Sequence, residues 1–186
     1  MATIQRQQFT VDDYTRMREA GILTEDDHVE LLDGDIYIMS PMGSRHIALV
    51  NRLNKMLIKA VQNDAIVSTQ NAIRLNDYSE PQPDIALLHP RDDDYEHALA
   101  APEDIFFVIE ISDTSSVYDR QQKLPRYAMA HIVEVWIVDA NQQILEQHMQ
   151  PFEGQYTTIK RYVRGTMIQS LTLPHVHLAI DDIFKT

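Results

Sequence analysis

The feature that most constrains this chain is an unbroken apolar run, residues 105–109, that ends on a carboxylate at Glu110. A short continuous apolar run is typical of a buried strand. A glutamate within such a strand is rarely buried without a partner. Upstream, Asp84 follows a proline and precedes a second apolar run, residues 85–88. We therefore expect two acids, Asp84 and Glu110, at neighbouring strand positions.

Two acids on neighbouring strands, with a lysine beyond them, are the parts of a metal-dependent phosphodiesterase. Such enzymes use a metal ion to polarise phosphorus and to lower the pKa of the attacking water. Mg²⁺ prefers oxygen ligands and keeps several waters, so Asp84 and Glu110 suffice, with the main-chain carbonyl of Ile111 as a third oxygen. An ammonium group would orient the water or offset negative charge in the transition state, and Lys123 is the candidate.

Each of these residues also has an ordinary structural interpretation. An aspartate after a proline is often a turn residue, and this applies to Asp84. Asp119 and Lys123 are four residues apart and could form a plain helix ion pair that contributes about 0.3–0.5 kcal/mol. Tyr127 continues the same helix face, where core packing is the commoner role. A mid-helix proline removes a backbone hydrogen bond, so Pro125 places Lys123 at a bend or in a first turn.

Composition narrows the classes of protein to be considered. The chain has 186 residues, of which 44% are apolar, and we assign residues 1–186 to a single domain. The absence of cysteine excludes disulfides and thiolate sites and is compatible with a reducing cytoplasm. No apolar stretch is long enough for a membrane span. The net charge of -12 counts against a nucleic-acid partner, because DNA-binding domains are typically basic. A local basic strip could still form from Lys160, Arg161 and Arg164.

The order of the apolar patterns predicts a mixed α/β chain. Thr10 is expected to cap a first helix, and an Asp-Gly pair marks the turn of a hairpin over residues 29–39. Ser44 is expected to cap a long helix that carries a core-facing apolar stripe. Further elements are predicted as strands over 65–75, 84–88, 105–111 and 133–139, a helix within 115–131, and a β-rich tail after residue 144.

Taken together, these residues resemble the PD-(D/E)XK nuclease superfamily and, within it, the Uma-type endonuclease family. The matching segments are Glu30-Leu31-Leu32-Asp33-Gly34-Asp35-Ile36, Ser40-Pro41, His46, Pro83-Asp84-Ile85, residues 108–112, Asp119, Lys123, Tyr127 and residues 133–139. These segments span most of the chain, and the spacing between them agrees with the spacing in the family pattern. The superfamily pattern has a lysine at the position of Ser112. The Uma-type variant resembles this chain there, with the basic role moved to Lys123.

The resemblance implies a restriction endonuclease-like core, with helices over 44–63 and 115–131 on opposite sides of a mixed sheet. It implies that Asp84 and Glu110 hold Mg²⁺ or Mn²⁺ and act with Lys123 on DNA, and symmetric cleavage would favour a homodimer. Supporting roles are implied for Glu30, His46, Ser112, Asp119 and Tyr127. The ordinary alternatives are a surface acid beside the hairpin turn for Glu30 and an unremarkable first-turn helix residue for His46.

Two other functions stay open from the sequence. A non-catalytic binding module for protein or nucleic acid is favoured by the acidic charge, because a fold does not fix a function. A metal-dependent hydrolase of a small phosphoester would also tolerate an acidic surface. If DNA is the substrate, the acids must lie away from the cleft and cations must line it. The candidates for that lining are Arg74, Arg120 and Lys123.

Overall fold

The computed structural model describes residues 6–113 and 118–185. The strands, in chain order, are β1 (Val29–Leu32), β2 (Asp35–Ile38), β3 (Ile66–Thr69), β4 (Ile85–Leu88), β5 (Ile105–Ser112), β6 (Glu134–Asp139), β7 (Ile144–Phe152), β8 (Gln155–Tyr162), β9 (Met167–Gln169) and β10 (His177–Ala179). The helices are α1 (Val11–Glu19), α2 (Ser44–Val61), α3 (Leu124–Met129) and α4 (Ile180–Ile183). Short 3₁₀ segments lie at Glu25–Asp27 and Pro102–Asp104, and a π-helical turn, Asp119–Lys123, leads directly into α3. Within these two ranges, no helix is long and apolar enough to cross a membrane.

A six-stranded mixed sheet forms the centre of the molecule, in the order β3-β4-β5-β6-β7-β8. β5 and β6 run parallel, and all other neighbours in this sheet run antiparallel. Parallel neighbours need a long crossover connection, and here the π-helical turn and α3 lie in it. β1 with β2, and β9 with β10, form separate two-stranded sheets. The mixed α/β class predicted from the sequence is confirmed.

Helices cover both faces of the central sheet, which explains the unbroken apolar runs. α2 packs on the face that carries Ile109 and Trp136. α3 packs through Tyr127 on the opposite face, which carries Val108 and Val135. A strand covered on both faces has no solvent side, so its sequence does not alternate between apolar and polar residues. The prediction that the two helices lie on opposite sides of the sheet is confirmed.

The first helix and the hairpin follow local sequence signals. Thr10 caps α1, since its hydroxyl accepts the Asp13 amide at 3.1 Å and the Asp13 carboxylate accepts the Thr10 amide at 3.0 Å. Asp33 and Gly34 form the hairpin turn with positive φ of 49° and 80°. A Cβ on Gly34 would lie 2.6 Å from the Cβ of Gln8, so glycine is required there by space as well as by backbone conformation.

Three predictions of local structure need correction. Gly43, not Ser44, is the N-cap of α2, and no side-chain cap bond is made there, because Ser44 is already the first helical residue. The strand predicted over residues 65–75 ends at Thr69, because Gln70 adopts a left-handed φ of 55° that breaks the extended backbone. The helix predicted within residues 115–131 is seen from Asp119 onward as the π-helical turn and α3, while residues 114–117 lie outside the described part.

The β-rich tail is not a separate unit. β7 and β8 extend the central sheet, with Ile137 of β6 paired to Glu146 of β7 and Glu146 in turn paired to Arg161 of β8. The tail strands β9 and β10 pair with each other instead. Ile168 and Leu178 of these strands are buried with the core on the α2 face of the sheet.

Candidate active site

Asp84 and Glu110 come together where β4 begins beside the end of β5. The antiparallel register pairs Ile85 with Ile109, so one further step places Asp84 opposite Glu110. The Asp84 carboxylate accepts the Ile111 amide at 2.8 Å, which fixes it against the next residue of β5. Its other oxygen lies 2.7 Å from Nε2 of His46, in the first turn of α2. Asp84 is thus a site residue held by two elements, not a free turn residue.

His46 lies at the mouth of this site, with its side chain 12% exposed beside an Asp84 side chain 13% exposed. Burial disfavours the charged imidazolium, but the hydrogen bond and charge of Asp84 outweigh it, with Asp119 and Asp113 adding to the effect. The pKa of His46 is therefore raised above its ordinary value. Because His46 contacts the Asp84 carboxylate, it is more than an unremarkable residue in the first turn of a helix.

Glu110 is buried, with 2% of its surface exposed, and its carboxylate has two close partners. The hydroxyl of Tyr127 donates to it at 2.6 Å, and Nζ of Lys123 lies 3.2 Å from the same oxygen. Burial raises the pKa of Glu110 well above its ordinary value; Lys123 opposes this, whereas Asp119 and Asp84 reinforce it. The carboxylate therefore sits in a place where additional positive charge would be favourable.

Lys123 is enclosed by oxygen atoms from β1, from β5 and from the segment that precedes β4. Its Nζ donates to the carbonyl of Gln82 at 2.9 Å and lies 3.4 Å from a carboxylate oxygen of Glu30, besides its contact with Glu110. Burial disfavours the ammonium, but the neighbouring carboxylates, Glu110 first and then Glu30, outweigh it and raise the pKa of Lys123. Lys123 is 3% exposed and stays charged.

Glu30 belongs to this site and is not a surface acid of the hairpin. It is 1% exposed on β1, where one carboxylate oxygen accepts the Gln82 amide at 2.9 Å. The other oxygen accepts the hydroxyl of Tyr118 at 2.6 Å. The sequence interpretation missed Tyr118 and the main chain of Gln82, although Tyr118 directly precedes the motif residue Asp119.

The π-helical turn before α3 places Asp119 and Lys123 at the site. The Leu124 amide bonds to the Asp119 carbonyl, five residues back, and Pro125, which lacks an amide hydrogen, lies in the first turn of α3. The Asp119 carboxylate accepts a hydrogen bond from the Ser112 hydroxyl at 2.8 Å. Ser112 occupies the position at which the superfamily pattern has its lysine, and there it donates to an acid. Both Asp119 and Lys123 are buried in the π-helical turn, so the plain helix ion pair considered from the sequence does not describe them.

The predicted cationic lining of the cleft is corrected in one position. Lys123 is interior and cannot line a surface. Arg74 is half-buried, with 43% of its side chain accessible, and pairs with Asp77 at 3.0 Å. Arg120 is 30% exposed and pairs with Glu146 of β7, with Asp139 further away at 3.9 Å. Arg120 is the one of the three that lies next in sequence to a site residue and also reaches solvent.

The charge balance of the site favours a cation with oxygen ligands. Among the described contacts, four acids (Glu30, Asp84, Glu110 and Asp119) meet two cationic groups, Lys123 and His46. In the described ranges, no group of three or more His, Cys, Asp or Glu side chains has an arrangement that could hold a metal. A hard ion that uses one or two carboxylates and water remains compatible with this donor set.

Comparison with known proteins gives this chain a family. The model of the Uma2 family, described as "Putative restriction endonuclease", matches residues 11–181, and the chain belongs to this family. The fold is similar to a solved structure from Anabaena variabilis ATCC 29413, described as a "putative nuclease belonging to DUF820". The TM-score is 0.74 at 16% sequence identity, over 95% of this chain and 97% of that one. The fold is thus restriction endonuclease-like. The family description supports a nuclease. No curated protein sequence matches this chain.

Proposed function

We propose that this protein is a Mg²⁺- or Mn²⁺-dependent endodeoxyribonuclease. The observation that carries the proposal is the buried Lys123 ammonium held between Glu30 and Glu110, beside Asp84, at the junction of β4 and β5. A buried cluster with more acids than cations is costly to keep unless it has a use, because each unpaired charge loses its hydration. Family membership supports a phosphodiester substrate.

Asp84 and Glu110 would hold the ion, together with the carbonyl of Ile111. The Ile111 amide faces Asp84, and the amide and carbonyl of one strand residue point to the same edge, so this carbonyl faces the same space. A bound divalent ion would polarise the phosphate and lower the pKa of the attacking water. Lys123 would orient that water or offset the charge that develops on the phosphate oxygens. His46 fixes the Asp84 carboxylate.

Contacts to DNA would come from arginines at the edge of the site, since the chain as a whole carries a charge of -12. Arg45, next to His46 at the start of α2, is 48% exposed, and Arg120 adjoins Asp119. Each phosphate contact releases counterions, so cleavage should weaken steeply as salt rises. Cleavage of both strands of a duplex would further require two copies of the site, and we propose a homodimer for that reason.

The experiment is a cleavage assay on duplex, single-stranded and branched DNA with Mg²⁺, Mn²⁺ or chelator, over a range of salt. Asp84→Asn and Glu110→Gln should each lower cleavage about a thousandfold. The matched control is Asp92→Asn, which makes the same change of charge on an exposed loop. Cleavage that persists in chelator would contradict the two-carboxylate site. Light scattering on the same protein tests the homodimer.

A non-catalytic binding module is the second candidate, and the net charge of -12 is the observation that favours it. Under this alternative, the protein would bind Mn²⁺ or a partner but leave every DNA substrate intact. Hydrolysis of bis(p-nitrophenyl) phosphate without cleavage of DNA would instead indicate a hydrolase of small phosphoesters.

A further inference from the structure

The Lys123 ammonium is shared between two carboxylates of different surroundings. An ammonium group has three N–H donors, and the three acceptor groups around it are the Gln82 carbonyl at 2.9 Å, Glu110 at 3.2 Å and Glu30 at 3.4 Å. One positive charge therefore faces two negative charges in a buried place. As long as Glu30 takes part of this attraction, Glu110 is only partly neutralised.

Glu30 is itself held in place from two directions. Its Oε2 accepts the amide of Gln82 and its Oε1 accepts the hydroxyl of Tyr118. The Tyr118 ring also packs against Tyr37, which is the cross-strand partner of Glu30 in the β1–β2 hairpin, with ring centroids 5.5 Å apart. The hairpin and the segment before α3 thus meet at this carboxylate. A carboxylate fixed in this way can keep an ammonium at a defined position.

We propose that Glu30 is a positioning residue that acts through Lys123. It is the permanent counter-ion of Lys123, holds the ammonium beside Glu110, and leaves negative charge on Glu110 for a divalent cation. If Glu30 were neutral, the whole attraction of Lys123 would fall on Glu110, and the resulting neutral pair would be a poorer cation ligand. This inference rests on the proposed nuclease function.

The test compares Glu30→Gln with a matched control, Glu80→Gln. Glu80 is also a buried acid, 4% exposed, is ion-paired with Arg18 at 3.1 Å, and its amide bonds to the carbonyl of Leu31 on the same hairpin strand. Mn²⁺ affinity is measured by calorimetry, together with kcat and KM for DNA and the Tm. Mutation of a residue that contacts a metal ligand typically lowers metal affinity or activity about 10- to 100-fold. We expect losses of that size in Mn²⁺ affinity and kcat for Glu30→Gln, with KM unchanged because Glu30 is buried.

A second variant, Tyr118→Phe, keeps the charge of Glu30 but removes one of its anchors. It should lower kcat while leaving Mn²⁺ affinity close to that of the wild type, and it serves as the test if Glu30→Gln does not fold. Glu80→Gln should lower the Tm without changing Mn²⁺ affinity or kcat. If Glu30→Gln and Tyr118→Phe both kept the wild-type Mn²⁺ affinity and kcat, the inference about Glu30 would be overturned and the proposed function would stand. An equal loss of Mn²⁺ affinity and kcat in Glu80→Gln would have the same consequence. A wild-type protein that neither binds Mn²⁺ nor cleaves DNA would overturn the proposed function as well.

Discussion

Two buried glutamates in this molecule, Glu110 and Glu134, are held in opposite ways. Both lie in nearly continuous apolar strands, and both are almost fully buried, at 2% and 0% exposure. The Glu134 carboxylate accepts six hydrogen bonds, all from neutral donors, which come from Trp136, Gln147, Ser170, Leu171 and Thr172. Glu110 accepts one hydroxyl, from Tyr127, and faces one ammonium, from Lys123.

The difference separates a carboxylate with a structural role from one that we propose to be part of the active site. Glu134 has its charge dispersed over hydrogen bonds that tie β6 to β7 and to residues 170–172, so nothing further can approach it. Glu110 instead has other acids near it, and its pKa is raised by burial and by Asp119 and Asp84, with Lys123 acting in the opposite direction. Burial of an acid is therefore not the signal of chemistry. What distinguishes Glu110 is that it shares its one ammonium, that of Lys123, with a second buried acid, Glu30.

The largest expected effect comes from Lys123→Ala, which removes the cation that the acid-rich site depends on. We expect loss of DNA cleavage and a fall of about 3–5 kcal/mol in the free energy of unfolding, because two buried carboxylates lose their counter-ion. Lys123 is 3% exposed, so its removal should cost far more stability than removal of a solvated lysine. Urea unfolding and cleavage assays check both parts. Lys59→Ala on the exposed side of α2 is the control, and equal stability of the two variants would contradict the buried site.

Glu110→Gln replaces the same groups as Glu134→Gln, but it should lower DNA cleavage rather than the free energy of unfolding. Glutamine keeps an oxygen for Tyr127 and Lys123, so the fold is retained. A metal ligand is worth several kcal/mol in the transition state, so kcat/KM for DNA should fall about a thousandfold. Kinetics with saturating Mn²⁺ provide the measurement. Activity within a few fold of the wild type would remove Glu110 from the proposed mechanism.

Glu134→Gln should lower stability and leave the chemistry alone. In either orientation the glutamine amide turns a donor toward donors, either those of Trp136 and Gln147 or those of residues 170–172. At least one buried donor is therefore left without an acceptor, at a cost of about 1–3 kcal/mol. The free energy of unfolding should fall by about this amount, while kcat per folded molecule stays at the wild-type value. A lower kcat with unchanged stability would erase the distinction between the two glutamates.

The sequence predicted much of the fold because the elements of the site carry local signals. The apolar runs of β5 and β6, the Asp33-Gly34 turn and the cap at Thr10 each depend on a few neighbouring residues. The pairing of β7 and β8 with the central sheet, and the end of β3 at Gln70, depend on long-range contacts or on one backbone angle. Sequence patterns do not contain either.

The same limit applies to the site. An acid in an apolar run pointed to Glu110, but the same signal is present at Glu134, where the structure shows only hydrogen bonding. What distinguishes them is which side chains arrive from distant segments, such as Lys123 beside one and Ser170 beside the other. The family resemblance placed Glu30 in the motif, yet its contact with Lys123 depends on how the hairpin docks.

The smallest expected effect concerns two histidines, His46 and His148, each of which contacts one acid. Burial disfavours the charge on His46, but Asp84 outweighs it and raises the pKa above 6.5; for His148, burial outweighs Glu146 and lowers the pKa below 6.5. The stabilisation from His46 is therefore complete below about pH 6.5 and is lost as the pH rises through its folded-state pKa. His148 has the opposite sign, because its protonation favours the unfolded chain as the pH falls. The free energy of unfolding of each variant is measured at about pH 5.5 and about pH 8 and compared with that of the wild type. For His46→Gln, the loss of stability should be smaller at the higher pH. For His148→Gln, the loss of stability should be larger at the higher pH. Parallel pH dependence of the two variants would contradict the opposite directions of the two pKa shifts.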